Sequence, residues 1–291
     1  MSSADRNLYH FDPSIGGAVF ACLSFAVVSS AHIFYMHKYR TAYMWPMAVG
    51  GIMELLGYAI RLYSRTQVSA SGPYAGQQVL IIVAPVFFAA ANYVILGRII
   101  RNVGPKYSFI SARWLSGLFV TADCFSFLVQ SSASGMLVSA KSSSSADMAN
   151  RLLIGGLLIQ VVSFTLFIIL AIAFHYRAND KVEAFEWKTL MYALYLSSLF
   201  ILVRSVFRVI EFSDGFDGPI ATNEPLMYVF DFTLMLLACS VFLGVHPGAK
   251  LGSAGRTYVE RVSEAEQLTT GVREMQIATP PGGRTAGIHN V

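Results

Sequence analysis

Four otherwise apolar stretches of this chain carry ionisable side chains at helical spacing. Glu54 and Arg61 are seven apart, with Gly57 and Tyr58 between them on the same helical face. Asp123, Ser126 and Gln130 form a second row, and Arg204, Arg208 and Glu211 a third. Glu224, Tyr228 and Asp231 form a fourth. Ionisable groups inside apolar sequence cost on the order of several kcal/mol and persist where they pair or act. Two readings of their chemistry follow. In the first, Arg61, Arg204 and Arg208 neutralise Glu54, Asp123 and Asp231 in a buried network that fixes helix packing. In the second, the rows line a polar cavity for an amphiphile's head group. Glu54, Asp123 and Asp231 then attract a cationic part, Arg61, Arg204 and Arg208 bind anionic parts, and Gln130 and Glu211 complete the lining. The two readings are compatible. A network of this size exceeds what packing needs, because helices in lipid associate through Gly, Ser and a few hydrogen bonds.

Other chemistries find little support. His32, His175 and His246 are scattered, with no second His or Cys at ligand spacing, so no metal site is expected. There is no Walker A or dinucleotide glycine pattern and no nucleophile elbow. The sequence therefore calls for no cofactor. The His residues fall at the inner ends of apolar runs, away from the acidic rows, which argues against a membrane hydrolase and against an enzyme generally. Cys22, Cys124 and Cys239 each sit inside an apolar run and read as packing thiols.

What must position these rows is a set of membrane helices. Of 291 residues, 55% are hydrophobic and only 13% charged, against about one quarter charged in soluble domains. The net charge of +4 is too small and dispersed for a nucleic-acid binder. Seven runs approach the roughly 20 apolar residues that span a hydrocarbon core. They are Ile15–Tyr35, Ala42–Tyr63, Gln77–Ile100, Trp114–Ser131, Leu152–Phe174, Thr189–Ile210 and Pro225–Val245. The runs are too long and too little alternating for barrel strands. Pro85 and Asn92 interrupt the third, and Pro85 predicts a kink there. The first run follows a polar stretch with no basic n-region, which reads as a retained helix rather than a leader.

Loop charge gives the orientation. Lys38, Arg40, Arg98, Arg101, Lys106, Arg113, Arg177, Lys181, Lys188, Lys250, Arg256 and Arg261 fall on one side, against Arg6, Arg65, Lys141 and Arg151 on the other. The first set is assigned to the cytoplasm by the positive-inside rule. The predicted fold class is thus an all-α integral membrane protein, a seven-helix bundle with its N-terminus outside and C-terminus cytoplasmic. Residues 1–14 form an extracellular N-terminus, 15–248 the transmembrane domain, and 249–291 a cytoplasmic, largely disordered tail. The Ser-rich stretch around Ser139 and Ser142–Ser145 reads as mobile, and Phe212 to Asn223 as an ordered turn. With a rise of about 1.5 Å per residue, Glu54, Asp123, Arg204 and Asp231 all fall at mid-membrane or in the outer half. The polar stripes of four helices are therefore expected to meet at one level.

Read in order, several segments resemble the fungal RTA-like family, also called the lipid-translocating exporter family. They are Tyr9-His10-Phe11-Asp12-Pro13, Glu54-Leu55-Leu56-Gly57-Tyr58-Ala59-Ile60-Arg61, Ala84-Pro85, and Tyr93-Val94-Ile95-Leu96-Gly97-Arg98. Asp123 with Gln130 and Gly135, then Gly155-Gly156 with Gln160, follow. Arg204-Ser205-Val206-Phe207-Arg208-Val209-Ile210-Glu211, Glu224 with Tyr228 and Asp231, and His246-Pro247-Gly248 complete the set. The likeness runs from Tyr9 to Gly248. Ser131-Ser132-Ala133-Ser134-Gly135 stands where members often carry a Gly-rich stretch.

The resemblance implies a seven-helix fungal membrane protein linked to stress and to resistance against membrane-active amphiphiles. Members are associated with sphingoid-base export, aminosterol resistance and porphyrin handling. Two functions are carried forward. One is a transporter or translocase of amphipathic lipids such as sphingoid bases or sterol-like compounds. The other is a receptor-like stress sensor that binds an amphiphile without moving it, its basic inner loops and tail contacting a cytoplasmic partner. The expected partners are membrane lipids or other amphiphiles. The expected location is the plasma membrane, with vacuolar and endoplasmic reticulum membranes as alternatives.

Overall fold

The computed structural model describes residues 14–67, 71–139, 142–182, 185–213 and 223–250. Among these residues the elements are helices, with no strand. The first, α1, is Ile15–Tyr39, followed by α2, Trp45–Ser64, and α3, Ser71–Val103. Then come α4, Ala112–Ser139, α5, Ser143–Asn179, and α6, Phe185–Ser213. The last rod, α7, starts as Glu224–Met227, passes through a π-helical segment, Tyr228–Thr233, and continues as Leu234–Gly244.

Sequence sets the helix ends. Ser14 caps α1, its Oγ accepting the Gly17 N–H at 3.2 Å. Arg40 closes α1 in the left-handed conformation, φ 51°. Pro46 opens α2, where its missing N–H costs no helical bond. The serine run expected to be mobile is instead the start of α5: Ser142 is its N-cap, with Oγ accepting the Ser145 N–H at 3.3 Å. Serine is a good cap because its hydroxyl satisfies a first-turn N–H that the helix itself leaves unpaired. The tail from 251 onward and residues 214–222 of the loop before α7 lie outside the described residues.

Helices adjacent in sequence pack side by side, and α1 also touches α7. The long α3 runs through the middle, against α2, α4, α5, α6 and α7. It carries much of the core: Ile81, Phe88, Tyr93, Ile95, Leu96, Ile99 and Ile100 are all buried. Apolar side chains also cover the outside. Phe20, Leu23, Val27, Leu118, Leu128, Val162, Leu166 and Ile169 are exposed, which a lipid solvent tolerates and water does not. Among the described residues, six helices are long and apolar enough to cross a membrane. The chain is an all-α membrane protein.

The exception is α2, twenty residues long but diluted by glycines, Glu54 and Arg61. Its surroundings explain that composition. It lies between α1 and α3, and its glycines permit the close approach. A Cβ on Gly57 would stand 2.7 Å from Ile81 Cγ1, and one on Gly50 would stand 2.6 Å from Phe88 Cε1. Gly51 faces Ser29 of α1 in the same way. Because most of its surface meets protein, α2 carries polar side chains that a lipid-facing helix would not.

Candidate functional site

The strongest electrostatic unit joins α6 to α7. Asp231 is fully buried, and Arg208 grips it with two parallel bonds, Nε to Oδ1 at 3.0 Å and Nη2 to Oδ2. The third nitrogen of Arg208, Nη1, donates to Glu211 Oε2 at 3.0 Å, one turn along α6. Arg204 places Nε 3.2 Å from Asp231 Oδ1, an ion-pair contact without hydrogen-bond alignment. Its Nη2 donates to the Ile81 carbonyl at 3.0 Å. That carbonyl is open for a reason written in the sequence. Pro85, four residues on, has no N–H to give it. The proline expected to kink α3 thus supplies an acceptor that anchors α6.

A second unit lies toward the start of α7. Arg61 Nη2 meets Glu224 Oε1 at 2.9 Å. Glu224 also accepts the Ser14 N–H, at 2.9 and 3.1 Å, and so ties the start of α1 to α7. Beneath it, Tyr58 stacks between Phe25 and Tyr228, at centroid distances of 6.2 and 6.1 Å, while Phe232 meets both Phe25 and Tyr58 edge-on. The π-helical segment holds Tyr228 and Asp231. Its wider turns spread the polar side chains of α7 around the axis, so Glu224 reaches α2 while Asp231 reaches α6.

Glu54 stands apart from both units. It is 0% exposed, and neither carboxylate oxygen has a hydrogen-bond partner. Arg204, Asp231 and Arg208 act on it electrostatically, but no ion pair reaches it among the described residues. Nearby on α2, the Tyr58 hydroxyl is also unpartnered. So are both amide atoms of Gln77, a buried residue of α3.

Asp123 belongs to a different neighbourhood, between α4 and α3. Its Oδ2 accepts the Tyr93 hydroxyl at 2.7 Å, and its Oδ1 has no partner. Ser126, one turn further, is buried with an unpartnered hydroxyl. Gln130 donates to Gln160 of α5 at 3.2 Å. A lipid-facing apolar groove of about 460 Å³ opens alongside, lined by Leu118, Phe119 and Ala122 of α4 and by Leu158, Val162 and Leu166 of α5. Phe119 belongs to both places: it lines the groove and packs on Tyr93 with ring centroids 5.4 Å apart.

These positions revise the expected network. The polar rows of α2, α6 and α7 do come together, but that of α4 does not join them. Its Asp123 meets a tyrosine rather than a guanidinium. Arg61 pairs with Glu224 and not with Glu54, because seven residues on one helix separate two groups by about 10 Å. Arg204 and Arg208 both serve Asp231. The partners unanticipated from spacing are Glu224, which pairs with Arg61, and the Ser14 N–H, which donates to Glu224, while the Ile81 carbonyl was foreshadowed only by Pro85. Gln77 and Tyr93 were legible as polar residues in an apolar run.

No solved structure matches the chain. Its relatives are known by sequence. Protein RTA1 of Saccharomyces cerevisiae is 30% identical over 85% of this chain and 87% of its own length. Protoporphyrin uptake protein 1 of the same species is 36% identical over 68% of this chain. Sphingoid long-chain base transporter RSB1, also from that yeast, is 26% identical over 68%. The chain spans 66% and 62% of the lengths of the last two. Residues 47–254, from the second residue after Trp45 to just past the last described turn, match the family described as RTA1 like protein. That range takes in Glu54, Asp123, Arg204, Arg208 and Asp231, and the chain belongs to the fungal RTA1-like family.

Proposed function

We propose that this protein crosses the bilayer seven times, N-terminus outside and C-terminus in the cytoplasm, and moves amphipathic lipids across it. One observation carries the reading: Asp123 is a buried carboxylate with an unpartnered oxygen and no cation among the described residues, two rings away, Tyr93 and Phe119, from an apolar groove open to lipid. The groove suits a hydrocarbon chain, and Asp123 with Ser126 suits a protonated amine. The sphingoid-base transporter among the relatives handles a molecule with both parts, which supports a cationic amphiphile as the substrate class. Arg208, Arg204 and Asp231 then hold the bundle together, since their charges are already spent on one another. Glu54, Arg61, Gln130 and Glu211 border the path rather than seize the head group. The plasma membrane is the proposed location, where such export lowers the load of membrane-active compounds.

Reconstitution tests this. Purified protein in liposomes is expected to accelerate flip of a fluorescent long-chain amine, and Asp123→Asn to slow it about tenfold or more. Saturable binding of the amine without flux in the wild type would move the protein to the sensor reading.

A further inference from the structure

Glu54 only borders the path in that account, yet among the described residues it is a carboxyl isolated from any donor. It is 0% exposed and has no donor on either oxygen. An ionised carboxylate in such a place is a bare buried charge, which proteins avoid by pairing or by neutralisation. Pairing is absent. Tyr58, on its own helix, is among the groups that act on it, and the Cys22 thiol of α1 donates to the carbonyl of the next residue, Leu55. From α6 come Arg204 and Arg208, and from α7 Asp231 and Cys239. On α3, the buried Gln77, whose main-chain carbonyl lies beside Gly57, is uncharged and has both amide atoms unpartnered. Both arginines are already committed, Arg208 to Asp231 and Glu211, Arg204 to Asp231 and the Ile81 carbonyl.

We propose that Glu54 is a proton-exchange site that couples amphiphile movement to proton movement. In the structure described here, where no donor reaches it, its carboxyl holds a proton. When the proton leaves, the new negative charge draws on Arg204, the cation acting most strongly on it. Arg204 then slackens its bond to the Ile81 carbonyl, the one left open by Pro85. The packing of α6 on α3 loosens there, and Tyr93, about two turns beyond Pro85 on the same helix, shifts against Asp123. Proton and amphiphile sites are thereby linked through one helix, α3. The chemistry balances simply: an O–H bond breaks at Glu54, its proton passes to water on one face, and another from the opposite face replaces it. Nothing is oxidised or reduced. This inference rests on the amphiphile site at Asp123, and the test separates the two.

The full-length protein is reconstituted in liposomes with a trapped pH indicator and challenged with a long-chain trimethylammonium lipid, which carries no proton of its own. The wild type is expected to move about one proton per amphiphile. Glu54→Gln is expected to abolish the pH change and to slow amphiphile flux with it, while amphiphile binding at Asp123 is retained. Amphiphile flux with no pH change in the wild type overturns the proton role and leaves the transport reading intact. Absence of flux in the wild type overturns both. Infrared spectroscopy gives a second measurement. A buried carboxyl C=O stretch is expected in the wild type, shifted in Glu54→Asp and lost in Glu54→Gln. If the wild-type band is missing, the proposal fails whatever the variants do.

Discussion

Arg204 donates from Nη2 to the main-chain carbonyl of Ile81, at 3.0 Å. This bond crosses from α6 to the central helix and depends on a proline for its acceptor. It also depends on the planar fork of arginine, since Nε of the same group faces Asp231. Lysine offers one compact ammonium and cannot serve both. Arg204→Lys is expected to cost about 1–3 kcal/mol, seen as a lower unfolding midpoint in detergent. Unchanged stability would mean that the carbonyl is met by another donor.

Asp231 discharges two guanidinium groups while fully buried. Removing its charge leaves Arg204 without a carboxylate and Arg208 with Glu211 alone. Asp231→Asn is expected to destabilise the bundle by about 3–5 kcal/mol. Adding Arg208→Gln is expected to recover part of that loss, because the second change removes one of the two cations that Asp231 had neutralised. A double-mutant cycle in denaturant measures this, and strict additivity would show that the pair is not coupled.

The glycines of α2 permit its close approach to α3. Gly57→Ala and Gly50→Ala force a methyl against Ile81 and Phe88. Each is expected to cost about 1–3 kcal/mol through overpacking. Gly72, where a Cβ meets nothing within 4 Å, serves as the control. Gly72→Ala is expected to leave the thermal midpoint in place.

Tyr93 positions Asp123 by donating to one of its oxygens. Tyr93→Phe removes that donor and keeps the ring that packs on Phe119 and Phe167. It is expected to change amine affinity, whereas Asp123→Asn removes the charge and keeps an acceptor for Tyr93. A loss of about tenfold in amine affinity, on the order of 1.4 kcal/mol, is expected for Asp123→Asn. Equal affinity for a neutral long-chain alcohol in both proteins would confirm that charge is what is read.

Apolar length and the family motifs made the helices legible, and the run from Leu152 to Phe174 lies wholly inside α5. The ends were harder to place. Polar residues such as Ser142 and Asn179 belong to a helix terminus by capping or by continued hydrogen bonding, which hydropathy does not register. Within the site, spacing along one helix picked out the right rows but not the partners. Depth alone suggested that Asp123 joins Asp231. Which side of the bundle a row faces depends on its neighbours, and α4 packs on α3 and α5. Glu224 and Asp231 read as one face, but the π-helical turns divide them.

Those turns give α7 a phase. Each α-helical residue advances by about 100°, so losing one residue between Tyr228 and Thr233 restores a uniform ladder and swings everything beyond it by about that angle. With α7 still held at Asp231 by two arginines, Glu224 would turn away from Arg61 and release the start of α1. A single-codon deletion there therefore unlatches the mouth of the bundle while sparing its centre, and separates the two ion-pair units genetically.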